Sequence, residues 1–507
     1  MTVPFMTVLR RLLPHLLAVF LLCVPSVDAA RRPVQRAARK GPVGPRIRAL
    51  LNSTPIAGTA FWGIEVSDLE SGKVLFEVNA DHFFVPASNT KLFTTALALM
   101  RLGPDYRTRT TVFQEGADLV LLGGGDPNLS GRVIPYEMGA SRGNTLTAIE
   151  SLADQIVAHG IRRVEGNVIG DDTAFVFEPY PEGWSIQDLI GYDGAPVSAL
   201  CVNDNSVKLQ ILPAEVEGAA ARISWDPLLP LFDIENLVVT DSRVEKTIHL
   251  ERQPGSRQLR IWGTTPRFDP EGRTFTLAVD DPARFAAYAL MDALQRRGVF
   301  VNGGAIARHL YPGAYPSIPA STAITKPPSV AERVSPSFLD DLRVTEKVSQ
   351  NLHAEMTLRT VAREKTGLGS RVAGLAELQL FLQEIGIGSD QYSFHDGSGL
   401  SRLNVTTPSA IASLLRYMGT SPQRDNWMSL FPISGVDGTL SARFGNKRAL
   451  GRIRAKTGSL SHASALSGYL EKRDGRVLVF SIVANNYNGP AFEVRAVIDR
   501  ICNILLE

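Results

Sequence analysis

The chain has 507 residues, 44% hydrophobic and 21% charged, which is material for roughly three domains at about 150 residues each. Three cysteines exclude a disulfide-stapled scaffold, and the cysteines and eight histidines show no paired metal-ligand spacing. A formal net charge of +2 gives no footing for nucleic acid.

The N-terminus carries a secretory pattern. Arg10 and Arg11 precede an apolar run from Leu12 to Val24, and Val27 and Ala29 place small residues for cleavage after Ala29. The run is shorter than the ~20 residues a membrane span needs. Lipidation at Cys23 is disfavoured by the bulky Leu22 before it. Residues 30–44 open a flexible basic arm, and seven basic residues with no acid lie between Ala30 and Arg48. Such an arm reads as a solvated tail, or as a peripheral contact for an anionic membrane surface or envelope polymer. The remainder holds 44 basic against 50 acidic residues.

Downstream, Thr59 to Asn79 predicts a hairpin around Glu70-Ser71-Gly72-Lys73. A helix starts near Pro86, carries Leu92, Ala96, Leu99 and Met100 on one stripe, and stops at Leu102-Gly103-Pro104. Strand-like segments at Arg109 to Phe113 and Asp118 to Leu122 lead to a helix near Leu146 to His159. A further strand is expected at Val164 to Gly170. Short alternating runs from 204 to 279 predict a small β module, and a helix follows over Pro282 to Arg297. Prolines between Tyr311 and Pro336 predict an extended connector, with helices from Ser337 to about Glu384. The chain ends in three antiparallel strands, Arg452 to Lys456, Ala465 to Glu471 and Val477 to Ala484, and a closing helix from Ala491. Cys201 and Cys502 stand in apolar neighbourhoods and read as buried free thiols rather than a disulfide.

Three short motifs carry the chemistry. Ser88-Asn89-Thr90-Lys91 opens a helix, where residues three apart share a face and a desolvated lysine can serve as base to a serine. Ser349-Gln350-Asn351 suits a turn between helices, because residues i and i+2 of a regular helix diverge. Lys456-Thr457-Gly458, with Ser459 after it, closes a strand-like run. Its glycine admits a substrate backbone, and Lys456 and Thr457 offer donors to a carboxylate. Each motif alone is weak, and an N-capping serine or a surface turn explains it equally well. A second copy, Lys365-Thr366-Gly367, ends a long helical pattern and reads as a C-cap.

The order S-x-x-K, S-x-N, K-T-G resembles the penicillin-recognising serine enzymes. Further stretches narrow the resemblance to the D-alanyl-D-alanine carboxypeptidase/endopeptidase family of low-molecular-mass (class C) penicillin-binding proteins. They are Gly123 to Pro127, Asp172 to Phe175, Ala195 to Leu200, Asn203 to Asn205, Asp396 to Arg402 and Pro432 to Leu440. The resemblance implies an α/β (α+β) fold: a transpeptidase-like domain, 45–104 and 335–507, with a five-stranded antiparallel sheet flanked by helices. Between its halves it places an α/β domain, 105–203 and 280–334, and a β-rich domain, 204–279.

The implied function is an exported serine D,D-peptidase that cleaves D-Ala-D-Ala ends or cross-links of peptidoglycan stem peptides and is acylated by β-lactams. In it Ser88 is the nucleophile, Lys91 its base, Ser349 a proton relay, and Asn351 a holder of Lys91 and substrate. Lys456 and Thr457 bind the terminal carboxylate, Gly458 lets the substrate backbone approach, and the N–H groups of Ser88 and Ser459 form the oxyanion hole. Asp172 and Arg402 read the stem peptide. The resemblance implies no metal or organic cofactor.

Rival readings rest on less. Gly123 to Asp126 lacks the G-K-[ST] of a phosphate cradle, and His395-Asp396 lies too close to Ser398 in sequence for a hydrolase triad. A serine β-lactamase shares the acylation residues but has no room for the two insertions. A non-catalytic cell-wall-binding protein has no call on an intact Ser88, Lys91 and Lys456.

Overall fold

The computed structural model describes residues 42–242, 245–313 and 328–507. The expected signal segment, nearly all of the basic arm and most of the proline connector lie outside these residues.

One antiparallel sheet joins the two ends of the chain. Its five strands run in the order Val74–Val78, Phe61–Asp68, Val477–Asn485, Ala463–Glu471 and Ile453–Leu460. The N-terminal hairpin therefore pairs with the C-terminal strands, Trp62 opposite Ala484 and Ile64 opposite Ile482. Both faces are covered. Helices Val43–Ser53 and Ala491–Leu505 pack Ile47, Val497 and Ile501 on one side. Helices Thr90–Arg101 and Pro408–Thr420 pack Leu92, Phe93, Leu414 and Leu415 on the other. The first helix begins at Val43, so the arm expected to run to residue 44 ends inside a helix, and Arg46 pairs with Glu507.

The helical block resolves into Phe338–Lys347, Asn351–Thr366 and Arg371–Glu384. Local chemistry sets their ends: Ser337 and Ser370 cap the first and third by accepting from Asp340 and Ala373 backbone N–H. Gly367, at φ +79°, closes the second, so the Lys365-Thr366-Gly367 copy is a helix terminus.

In sequence, between the two halves of this layer, comes a mixed sheet ordered Ala305–Leu310, Val168–Val176, Asp118–Leu122, Arg109–Glu115 and Ala331–Val334. The last strand comes from the expected connector, which is thus partly sheet. Residues 206–278 form two three-stranded sheets. A single buried cluster, including Leu152, Ile211, Val238 and Leu290, runs through the mixed sheet and the β-rich segment.

Buried polar contacts fasten the segments between the two halves of the first sheet to the helices Phe338–Lys347 and Asn351–Thr366. His353, fully buried, bridges Asp341 at 2.7 Å and Asp204 at 3.1 Å. Burial alone would lower its pKa, but the two carboxylates outweigh that and raise it, which favours the charged ring. In helix Asn351–Thr366 the fully buried Glu355 and Arg359 pair at 2.9 Å. Glu355 also accepts the Gly397 N–H at 2.8 Å and so steadies the loop behind the motifs. Replacing Glu355 with Ala strands a buried guanidinium, and we expect a loss of about 3–5 kcal/mol in denaturant unfolding. A loss under about 1 kcal/mol would mean that water reaches Arg359.

Candidate active site

The three motifs meet in one cleft. Ser88 lies in the 3-10 turn Ala87–Asn89 that opens helix Thr90–Arg101, with Ala87 in the left-handed region at φ +48°. Ser349 sits in the turn between Phe338–Lys347 and Asn351–Thr366, itself at φ +62°. Lys456-Thr457-Gly458 lies within the edge strand Ile453–Leu460, which continues past the motif. A side chain on Gly458 would strike the Pro86 carbonyl, and one on Gly399 the Ala87 carbonyl. Both glycines let backbone close around the serine turn.

Lys91 Nζ donates to Ser88 Oγ at 3.0 Å, to Asn351 Oδ1 at 2.6 Å and to the Ser398 carbonyl at 2.6 Å. Lys456 Nζ donates to Ser349 Oγ at 2.8 Å and to its neighbour's carbonyl, Thr457 O, at 3.0 Å. Thr457 Oγ1 donates to Thr439 Oγ1 at 3.0 Å, and Asn351 Nδ2 to the Asp193 carbonyl at 2.9 Å. The cleft, about 420 Å³, is lined by Ser88, Ser349, Asn351, Thr457 and Ser459, with Arg402 at its rim.

Both lysines are fully buried. Loss of water, and then the charge of Lys456, bring Lys91 down from 10.5 to about 7. Burial likewise lowers Lys456 to about 8, opposed by the carboxylate of Glu346. The arrangement holds a serine against an amine that sheds its proton near neutral pH, with a second cation beside it to receive an anion.

The loop carrying the Ser398 carbonyl is built on Asp396. Its buried carboxylate accepts from Gly399 N, Ser401 N, Asn404 Nδ2 and Trp184 Nε1 at 2.6–2.9 Å. Among the described residues no cluster of His, Cys, Asp or Glu could hold a metal ion, and no helix is long and apolar enough to cross a membrane.

A model of the D-Ala-D-Ala carboxypeptidase 3 (S13) family matches residues 45–505. The chain belongs to that family. It is 31% identical to a D-alanyl-D-alanine carboxypeptidase of an Actinomadura species, over 88% of this chain and 81% of the relative. It is 24% identical to the D-alanyl-D-alanine carboxypeptidase DacB of Haemophilus influenzae, over 84% of this chain and 85% of the relative. The crystal structure of penicillin-binding protein 4 (DacB) from that organism shares the fold, with a TM-score of 0.76 at 23% identity over 91% of this chain and 99% of the other. By family this chain is a serine-type peptidase, a hydrolase with the transpeptidase-like fold that its motifs suggested.

Not every expected residue reaches the cleft. Asp172 lies on strand Val168–Val176 and is buried, with its carboxylate taken by Ser198 at 2.8 Å and His309 at 2.9 Å. The structure corrects its placement: Asp188 and Asp193 are the carboxylates that line the cleft. Asp188 faces Arg402 at 3.2 Å. Thr439, Tyr192 and Ser461 also line it. Of these, only Thr439 stood in a stretch with a sequence signal, Pro432 to Leu440. His462 points away, bonding the Tyr487 carbonyl at 2.9 Å. Cys201 and Cys502 are buried free thiols, and burial raises both pKa values.

The Asp172 cluster makes its own prediction. Burial lowers the His309 pKa, but hydrogen bonds to Asp172 and Asp281 outweigh it and lift the ring from 6.5 to about 9. A pKa raised by folding stabilises fully below the unfolded value and ceases to do so as pH rises through the folded one. The margin of wild type over Asp172→Asn in thermal unfolding should therefore be largest where the Asp172 carboxylate is ionised and the His309 ring charged, and shrink as pH rises from 6.5 through about 9. A pH-independent margin would contradict a charged pair.

Proposed function

We propose that this chain is an exported D,D-peptidase that hydrolyses D-Ala-D-Ala ends and peptide cross-links of peptidoglycan through an acyl-enzyme on Ser88. The observation that carries the reading is the Lys91 amine, out of water, near neutral pKa and 3.0 Å from Ser88 Oγ. Ser88 attacks the carbonyl of the penultimate D-alanine as Lys91 takes its proton. The N–H groups of Ser88 and Ser459 receive the developing oxyanion, each donor worth about 3 kcal/mol of barrier. Ser349, held by Lys456, passes a proton to the leaving amine, the C–N bond breaks, and water then hydrolyses the ester.

Lys456 and Thr457 take the terminal carboxylate, and Gly458 leaves room for the substrate backbone. Asn351 fixes Lys91 and abuts the substrate backbone. Arg402 and the nearby Asp188 also line the cleft, and would meet a stem-peptide side chain there. The structure of penicillin-binding protein 4 complexed with a β-lactam supports binding of such an antibiotic here. Export through the N-terminal segment fits this substrate.

Intact-protein mass spectrometry with a fluorescent penicillin tests the nucleophile. We expect one stable adduct on wild type and none on Ser88→Ala, whereas rapid hydrolysis without an adduct would indicate a β-lactamase.

The lysines also set a pH profile. Lys91 must be neutral to act as base, so acylation should fall as pH drops through about 7. Lys456 must be charged to bind the carboxylate, so acylation should also fall as pH rises through about 8. A profile flat from pH 6 to 9 would refute this division of labour.

A further inference from the structure

The catalytic cleft does not end at Ser349. A second cavity, of about 580 Å³, shares Tyr192, Asp193, Val348 and Ser349 with it. Its outer wall includes Tyr136, Arg132 and Arg142 from the 131–146 segment, and Lys208 from strand Ser206–Leu212.

Its position relative to the reaction can be read from contacts. Tyr136 lies beside the backbone of Gly438, and Gly438 precedes Thr439, whose hydroxyl accepts from Thr457. The cavity therefore adjoins the end of the cleft where Lys456 and Thr457 stand. Arg402 and Ser461 line the catalytic cleft but not this cavity.

Its charge is also specific. Arg132, with a side chain only 10% exposed, donates to Asp204 at 2.5 Å, and Arg142 donates to the same oxygen at 2.8 Å. Asp204 already faces the His353 ring on its other oxygen, so one carboxylate answers several cationic groups. The Nε of Arg132 is buried with no partner among the described residues. A buried donor left unpaired is costly, and an incoming acceptor would satisfy it. Lys208 adds a third, exposed cation; Glu137 and Asp226 are acids exposed to solvent, and Asp193 belongs to the shared wall.

We propose that this cavity is the subsite for the leaving strand of a peptide cross-link, with Arg132, Arg142 and Lys208 receiving a free carboxylate of that strand. The inference rests on the D,D-peptidase reading and deepens it. A carboxypeptidase expels D-alanine alone, whose carboxylate Lys456 and Thr457 already take, and it needs no further room. In cross-link cleavage Ser88 Oγ bonds to the D-alanyl carbonyl as the amide C–N bond breaks. The Ser88 proton, carried through Lys91 and Ser349, ends on the side-chain amine of the diamino acid in the departing strand. That strand is a peptide with further carboxylates, and it leaves on the side where this cavity opens. Water then hydrolyses the ester on Ser88.

The test compares two substrates on the full chain: a purified cross-linked muropeptide dimer and the monomeric pentapeptide, with penicillin acylation alongside. Arg142→Ala combined with Lys208→Ala should lower kcat/KM on the dimer about tenfold, the worth of one charge-assisted hydrogen bond. Release of D-alanine from the monomer and the acylation rate should stay at wild-type values. Wild-type dimer cleavage that survives the double substitution would overturn the subsite. So would an equal loss on both substrates, which would show a structural effect, or a wild type that trims the monomer yet leaves the dimer intact. A wild type that penicillin does not acylate would overturn the peptidase reading, and the subsite with it.

Discussion

Two ammonium groups, Lys91 and Lys456, lie out of water in one cleft, and the rest of the architecture answers that constraint. Removing a charge from water is costly unless donors, acceptors and counter-charges are arranged around it. Lys91 finds Ser88, Asn351 and the Ser398 carbonyl; Lys456 finds Ser349 and the Thr457 carbonyl. The carboxylate of Glu346, fully buried and held by Thr95 at 2.8 Å, adds the field of an anion to both lysines. What these partners do not offset appears as lowered pKa values, and those values are what make the site chemically useful.

Each partner of the lysines depends on a further layer. The Ser398 carbonyl is aimed by a loop wound on Asp396, and Gly397 of that loop is tied to the Glu355–Arg359 pair. The Ser349 turn adopts a left-handed backbone that a serine does not choose freely. The helices on either side of it are clamped by His353 on one and Asp341 on the other. Because His353 also holds Asp204, the same clamp fixes the inserted segments beside the cleft. The insertions thereby form one wall of the site, through Tyr192, Asp193 and the carbonyl that accepts from Asn351.

Much of this was legible in the chain. The alternation from Ala465 to Glu471 and from Val477 to Ala484 marked two strands of the sheet, and the stripe of Leu92, Ala96 and Leu99 marked the nucleophile helix. Motif spacing placed Ser88 and Lys91 on one face. Asp172 shows where such reading stops. An acidic pair beside a β-like run looks exposed, but strand Val168–Val176 is interior to its sheet and His309 arrives from the neighbouring strand Ala305–Leu310. Glu346, Asp188 and Asp193 had no motif to announce them, because their positions follow from how helices and loops pack.

The sequence by itself determined the chemistry on offer: a serine and a lysine one helical turn apart, a polar turn, and a strand carrying small and basic residues. Those are local properties, set by backbone periodicity and turn preference. Only the tertiary structure decided that Lys91 meets Asn351 and Ser398, that Lys456 meets Ser349, and that a second cavity opens beyond them. The reason is physical. Desolvation depends on what covers a group, and here the covering residues come from segments distant in sequence that only the folded sheet and its helices bring together.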